Sequence, residues 1–292
     1  MQLKPPTYLA HRAKYALFVL AALTALGIAG LWLSSYLQRE EQDLGNGATH
    51  RQTVPETRTA ASVLPTAEQL RDARAFAESR LGVVSFAVTD TSGRLRCYRC
   101  RAKYVAASVV KAMLLVAYLD RLAEQSRALT PAHRDQLNAM IRVSDNASAT
   151  DIYLHVGRAG LVRLGRQAGM RDFEMQNGWA TARITAADQA RFFASIDELV
   201  SPEHRAYAAR VLASVVTSQA WGIPDTSRPA WITLFKGGWR KTVRGELVHQ
   251  VARLQRGDAV MAIAILTDGN PRSAYGRATI RGISRRLLAP EN

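Results

Sequence analysis

Two β-rich stretches, separated by a mainly helical one, follow from the pattern of apolar and polar positions after residue 66. At the start, AEQLRDARAFAESRLG has a helical period, and VVSFAVTDTSGRLRCYR reads as two strands around a DTSG turn. Three strands and a final helix are predicted at the end: WITLFKGGW, GELVHQVARL, AVMAIAILTDG and SAYGRATIRGISRRLL. This order predicts an α/β (α+β) sandwich. Both ends of the domain would form one antiparallel sheet of about five strands, flanked by helices and interrupted by a helical insertion over residues 104–222.

The insertion begins with a stretch from Ala106 to Leu122 that is apolar on nearly every side, which predicts a buried helix. Ser108 and Lys111 are three residues apart in it and so share one helical face. Burial lowers the pKa of a lysine toward the range where it accepts a proton. If Ser108 opens the helix, its unpaired backbone N–H points at whatever its hydroxyl attacks. The pair is a candidate nucleophile and base, although this spacing also arises by chance and a lysine near a helix end can snorkel to the surface.

The N-terminal run 15–33, YALFVLAALTALGIAGLWL, has no charge and would span roughly 28 Å as a helix, about the hydrocarbon thickness of a bilayer. Basic residues precede it and acidic residues follow it, which places residues 1–14 in the cytoplasm and the rest outside the cell membrane. Residues 34–65 are polar and read as a linker to a folded domain at 66–292. We expect an uncleaved single-pass signal-anchor; the alternative is a cleaved signal peptide and a secreted domain.

The net charge of +15 raises the question of nucleic acid as a partner. Outside the membrane that partner is not expected, and anionic lipid head groups or cell-wall polymers are the available polyanions. The arginines are spread along the whole chain without a dense basic run, which is more typical of a solvated surface than of a specific polyanion site. The charge therefore indicates no function, and the sequence leaves the oligomeric state open.

The two cysteines, Cys97 and Cys100, lie in CYRC. The six histidines are scattered singly, so the spacing predicts no metal site, and no cofactor is expected. A disulfide is permitted outside the cytoplasm, but residues i and i+3 of an extended strand lie about 10 Å apart and face opposite ways. A bridge would need a turn, and the sequence leaves it open.

Two further motifs follow the SVVK of Ser108 and Lys111 in a fixed order. The first is SDN at 144–146 and the second is KGG at 236–238. Taken alone, each motif favours a structural interpretation: SDN as a polar turn or helix cap, and KGG as a glycine bulge in a strand. Together the three resemble the motifs of the penicillin-recognising serine enzymes, the class A β-lactamases and the D,D-peptidases, over about residues 66–292.

The resemblance implies a role for each matched residue. Ser108 would attack a lactam or peptide carbonyl, and Lys111 would take its proton. Ser144 would relay that proton to the leaving nitrogen, and Asn146 would hold Lys111 and the amide of the substrate. Lys236 would raise the local positive potential and bind the substrate carboxylate.

The third motif also departs from the family pattern. Gly238 and Trp239 would line the substrate groove, with the Trp239 N–H completing the oxyanion hole. Trp239 is bulkier than the residue usual there, and Gly237 lacks the usual hydroxyl. An arginine often assists carboxylate binding, and Arg240 and Arg244 are both candidates.

The loop after the second motif decides the reaction. In class A β-lactamases a glutamate there activates the water that frees the acyl-enzyme. The loop of this chain looks compressed, and Glu174 is its only glutamate, so Glu174 is the candidate base, with a solvated loop carboxylate as the alternative. We therefore expect a serine acyl-enzyme that acts on β-lactams or cell-wall D-alanyl peptides with inefficient deacylation. The alternatives are a D,D-carboxypeptidase or penicillin-binding protein, and a non-catalytic envelope protein that binds wall peptide.

Overall fold

One antiparallel sheet of five strands forms the centre of the domain. The structure, a computed structural model, describes residues 63–290. Its strands, numbered along the chain together with a short separate ladder, are β1 (Val83–Asp90), β2 (Leu95–Tyr98), β3 (Tyr104–Val105), β4 (Arg183–Ile184), β5 (Ile232–Thr242), β6 (Gly245–Arg256) and β7 (Ala259–Asn270). The sheet has the order β2-β1-β7-β6-β5, and β3 pairs with β4 outside it. The predicted sheet, built from both ends of the domain, is confirmed.

Helices cover both faces of this sheet, which explains why β1, β6 and β7 are buried along nearly their whole length rather than at alternate positions. The helices are α1 (Ala67–Glu78), α2 (Lys111–Glu124), α3 (Pro131–Arg142), α4 (Asn146–Gln167), α5 (Ala186–Ala194), α6 (Ile196–Leu199), α7 (Pro202–Ala213), α8 (Ile223–Thr226) and α9 (Ser273–Leu287). Helices α1 and α9 pack on each other, and α5 packs on β1 and β7. The chain ends thus build the sheet layer, and the insertion carries most of the remaining helices.

Helix α2 is buried as its apolar pattern predicts, with every residue from Lys111 to Leu119 buried. Burying each large apolar side chain contributes about 1.5 to 3 kcal/mol, so this helix is a major part of the core. The expected start of the helix needs correction. The α-helix begins at Lys111 and follows a 3₁₀ turn over Ala107–Val110. Ala107, the first residue of this turn, has a left-handed φ of 47°.

Cys97 and Cys100 form a disulfide with their Cα atoms 5.6 Å apart. Arg99 has a left-handed φ of 47° and turns the chain directly after β2. This turn brings the two cysteines into the range that a bridge requires, which an extended strand could not do.

The described fold begins before residue 66. Leu64 and Pro65 are buried, so the last residues assigned to the linker belong to the packed domain. The predicted anchor at 15–33, with the flanking segments 1–14 and 34–62, lies outside the described residues. Within 63–290, none of the helices combines the length and apolarity needed to cross a membrane.

Candidate active site

Ser108 lies in the 3₁₀ turn between β3 and α2 and is partly exposed. The backbone N–H of Lys111 donates to the Ser108 carbonyl, which closes this turn. Residues three apart eclipse each other in a 3₁₀ helix, so the two side chains leave the turn on the same side. The turn therefore provides the shared face that the sequence attributed to an α-helix.

Lys111 is fully buried, and its ammonium donates to three oxygen atoms. The acceptors are the Ser144 carbonyl at 2.6 Å, the Ser144 Oγ at 3.2 Å and the Asn146 Oδ1 at 2.8 Å. A buried ammonium requires such partners, because an unpaired charge in the core costs several kcal/mol. The first two motifs therefore meet at a single Nζ atom.

The backbone of the second motif is shaped to offer these acceptors. Ser144 has a left-handed φ of 62°, a conformation uncommon for a residue with a side chain, and both its carbonyl and its hydroxyl oxygen face Lys111. Asp145 caps helix α4, since its Oδ1 accepts the Ser148 N–H at 2.7 Å. This contact with the Ser148 N–H lowers the pKa of Asp145. Asp145 thus fixes the loop, and Ser144 and Asn146 turn toward the lysine.

The third motif reaches the same point from β5, the edge strand of the sheet. Lys236 is fully buried, and its Nζ donates to the Ser144 Oγ at 3.1 Å and to the Gly237 carbonyl at 3.0 Å. Gly238 leaves room for the 3₁₀ turn over Ala107–Val110, called the nucleophile turn below. A Cβ at Gly238 would lie 2.9 Å from the backbone nitrogens of both Ser108 and Val109. The three motifs are therefore in one place, with the Ser144 hydroxyl between the two ammonium groups.

Both lysines titrate well below their ordinary value. Burial lowers the pKa of Lys111 to about 8, and the charge of Asp145 opposes that shift. Burial, followed by the charge of Lys111, lowers the pKa of Lys236 to about 7. The two ammonium groups are coupled, so loss of one proton helps the other lysine retain its own. An anionic substrate group next to Lys236 would raise the pKa of Lys236 and favour Lys111 as the group that deprotonates.

A pH profile follows from these pKa values. Lys111 accepts a proton only when neutral, and its neutral fraction increases as the pH rises through about 8. We therefore expect the rate of acylation of Ser108 to rise about tenfold per pH unit below this range and to level off above it. Labelling rates with a fluorescent penicillin between pH 6 and 9.5 measure the profile. A rate that is flat or falls across this range would contradict the role of Lys111 as base.

The described contacts of Glu174 are to Lys103 and Arg183 and not to the three motifs. Glu174 is half exposed and forms an ion pair with Lys103. Its backbone is held by Arg183, through N–H to carbonyl bonds of 3.0 and 2.7 Å in the two directions. The role of Glu174 in deacylation stays a prediction. In the described structure its carboxylate takes part in an ion pair at the surface.

Trp179 lies next to Lys111, although no motif in the sequence points to it. It begins a 3₁₀ turn over Trp179–Thr181, its Nε1 donates to the Thr150 Oγ1 at 3.3 Å, and its ring centroid is 5.1 Å from the Lys111 Nζ. An aromatic face stabilises a nearby cation by about 0.5 to 2 kcal/mol. The loop after the second motif thus presents an indole ring to the ammonium of Lys111.

A third arginine lies beside the KGG motif, in addition to the two candidates from the sequence. Arg240 and Arg244 are exposed. The guanidinium of Arg277, on α9, instead lies 5.2 Å from the ring centroid of Trp221, whose ring borders Gly237. The buried Nε of Arg277 and Nε1 of Trp221 have no acceptor among residues 63–290. These donors make Arg277 a further candidate for binding an anionic group, and no motif in the sequence points to it, because it lies on a helix that begins 35 residues beyond the KGG motif.

Trp239 is partly buried at the end of the motif, and its ring centroid is 6.3 Å from that of Trp221. The two rings form an aromatic wall beside Gly237. In the part of the chain that the structure describes, His, Cys, Asp and Glu residues form no group of three able to hold a metal ion.

Comparison with known proteins gives a family and a fold. The profile of the beta-lactamase enzyme family matches residues 124–289, which include the second and third motifs but begin after Lys111. Among curated proteins, no sequence matches this chain.

Solved structures give the fold of the whole domain. A beta-lactamase from Sphaerobacter thermophilus has 19% identity and a TM-score of 0.65, covering 75% of this chain and 95% of that chain. An ancestral class A beta-lactamase has 20% identity and a TM-score of 0.63, covering 75% of this chain and 98% of that one. A beta-lactamase from Chitinophaga pinensis has 13% identity and a TM-score of 0.66, with 75% and 98% covered. At these identities the likeness shows the fold alone.

Proposed function

Because this chain belongs to the beta-lactamase enzyme family, we propose that it is a serine hydrolase that forms an acyl-enzyme on Ser108 with β-lactams or D-alanyl peptides. The observation that supports this most is the network at Ser144, whose Oγ accepts from both Lys111 and Lys236. It joins the candidate base to the candidate carboxylate-binding lysine through a hydroxyl able to relay a proton. The predicted anchor at 15–33 leads us to propose that the reaction takes place outside the cell membrane.

Acylation uses each motif once. Neutral Lys111 takes the hydroxyl proton of Ser108 as its Oγ bonds to the substrate carbonyl carbon. The backbone N–H of Ser108 and that of Trp239 stabilise the developing oxyanion. The carbon–nitrogen bond then breaks, and the proton passes from Lys111 through the Ser144 hydroxyl to the departing nitrogen. Lys236 holds the substrate carboxylate.

The groove compensates for the missing hydroxyl at Gly237. Arg277 and Trp221 offer buried donors beside this glycine, and we propose that they add to the carboxylate contact of Lys236. Trp239 lies next to Trp221 on the same side of Gly237 and provides an apolar surface for the substrate side chain. These differences favour a substrate with a flat or apolar group next to its carboxylate.

Deacylation is the slow step of this proposal. Among residues 63–290, no carboxylate forms a hydrogen bond or an ion pair with Lys111, and the Trp179 ring lies beside its ammonium. Water that approaches from this side would have no general base, which removes a factor of about 10² to 10⁴ in rate. The long-lived adduct that results is as compatible with a D,D-peptidase as with a slow β-lactamase.

The lifetime of the adduct tests this step. We expect Glu174→Gln to leave the lifetime of a penicillin adduct within about twofold of wild type, because its carboxylate pairs with Lys103. Glu124→Gln is a matched control, since Glu124 is equally exposed and pairs with Arg163. The decay of the adduct mass after removal of free penicillin measures the lifetime. An adduct that lasts at least tenfold longer in Glu174→Gln alone would make Glu174 the deacylation base.

The lifetime of the adduct also distinguishes a β-lactamase from a peptidase-like protein and from a non-catalytic binding protein. Turnover within seconds would support a β-lactamase, and an adduct that lasts hours would support a peptidase-like protein. Absence of any adduct at high penicillin concentration would favour an envelope protein that keeps the fold for binding.

A further inference from the structure

His249 is a buried titratable residue that the proposed acylation steps do not use. It lies in β6 and is fully buried. The Thr267 N–H donates to its Nδ1 at 3.1 Å, and its Nε2 lies 3.0 Å from the Val105 carbonyl. A neutral imidazole carries its proton on one nitrogen only, so an Nδ1 that accepts leaves Nε2 as the donor. The ring therefore has a donor and an acceptor that are both engaged.

His249 is also the cross-strand partner of Gly238. Directly opposite residues of an antiparallel pair project to the same face of the sheet. That face holds the nucleophile turn, because the missing Cβ of Gly238 would meet the backbone nitrogens of Ser108 and Val109. The imidazole and the glycine thus contact one segment of chain from neighbouring strands.

The hydrogen bond of His249 reaches this segment just before the nucleophile. Val105 ends β3 and precedes Ser108 by three residues. The next residue, Ala106, donates its N–H to the Ala182 carbonyl at 2.8 Å, and Ala107 then takes its left-handed φ. The path of the chain into the 3₁₀ turn is therefore fixed at Val105 from the sheet side and at Ala106 from the loop side.

We propose that His249 is a positioning residue for acylation: by donating to the Val105 carbonyl it holds the Ser108 N–H against Gly238, where the oxyanion forms. This inference rests on the proposed function. The hydrogen bond fixes how closely the nucleophile turn approaches β5, and thus the distance between the two N–H groups of the oxyanion hole. His249 itself touches neither substrate nor reacting atoms.

The surroundings keep the imidazole neutral and in place. Burial lowers the pKa of His249 to about 4, against the opposing effect of the Val105 and Val248 backbone and of Asp268. The ring of Tyr104 packs edge-on at a centroid distance of 5.4 Å. Throughout the pH range in which Lys111 titrates, the donor on Nε2 is therefore retained.

Two variants separate the two hydrogen bonds of the ring. The amide nitrogen of Gln lies near the position of Nε2, so His249→Gln can still donate to the Val105 carbonyl. The amide oxygen of Asn lies near Nδ1, so His249→Asn keeps the acceptor for the Thr267 N–H and loses the donor. Both variants remove ring volume, so a change in thermal stability alone does not distinguish them.

We expect His249→Asn to be acylated by a fluorescent penicillin about tenfold more slowly than wild type, and His249→Gln within about threefold of it, because a misplaced oxyanion donor loses part of the roughly 10² to 10³-fold effect of that donor. Equal rates for Asn and Gln would overturn the proposal. The proposal would also be overturned if the labelling rates of the two variants decreased in step with their melting temperatures.

Amide hydrogen exchange of residues 105–109 gives a second readout that does not depend on penicillin. We expect faster exchange in His249→Asn than in His249→Gln and wild type. If wild type is never labelled, the proposed function fails, but this difference in exchange still decides whether His249 holds the turn. Equal exchange in Asn and Gln overturns the inference even if wild type is labelled.

Discussion

Replacing Lys111 with methionine is expected to slow the acylation of Ser108 by a penicillin about 10³-fold, because it removes the base that takes the serine proton. Methionine has a similar length and no charge, so it fits the fully buried position. The Ser144 Oγ keeps its hydrogen bond from Lys236, whereas the Ser144 carbonyl and the Asn146 Oδ1 lose the donor that Lys111 gives them. Initial labelling rates over a range of penicillin concentrations measure the effect.

The folded state should tolerate this substitution. Removing the buried ammonium relieves its desolvation cost, whereas leaving the Ser144 carbonyl and the Asn146 Oδ1 without this donor costs about 1 to 3 kcal/mol each. These effects oppose each other, so we expect Lys111→Met to stay folded at the assay temperature; its melting temperature checks this and separates the kinetic loss from unfolding. Lys241→Met, on the exposed end of β5, is the control and should label like wild type. Labelling of Lys111→Met within threefold of wild type would exclude Lys111 as the base.

The sheet and the buried helix were predictable because both depend on local patterns. Apolar runs bounded by turn residues are typical of strands buried on both faces, and the DTSG turn joins β1 to β2. The first turn after β3 was not predictable in the same way. Its 3₁₀ geometry follows from the left-handed φ of Ala107, which neither composition nor period reveals.

The site was predictable only as far as motifs extend. Ser108, Lys111 and Lys236 were found from short spacings and their order along the chain. Trp179 and His249 act through tertiary packing, and nothing in their sequence neighbours points to Lys111 or Val105. The ion pair of Glu174 with Lys103 likewise depends on the pairing of β3 with β4, which places two distant segments side by side.

Ser108→Ala is expected to lose covalent labelling completely. The variant removes the only atom of the turn that can bond to a carbonyl carbon, and alanine fits the partly exposed position without strain. Non-covalent binding should remain, because Lys236, Arg277 and Trp239 are unchanged. Ser126→Ala, at a serine in the turn directly after α2, is the control and should label fully. Loss of binding together with labelling would indicate a misfolded groove rather than a missing nucleophile.

The most direct test of the account is the intact mass of the domain after incubation with benzylpenicillin, followed by peptide mapping of the adduct. We expect a single addition equal to the mass of the penicillin, located on the peptide that contains Ser108, in wild type and not in Ser108→Ala. An unchanged wild-type mass at saturating penicillin, or an adduct that persists in Ser108→Ala, would contradict it.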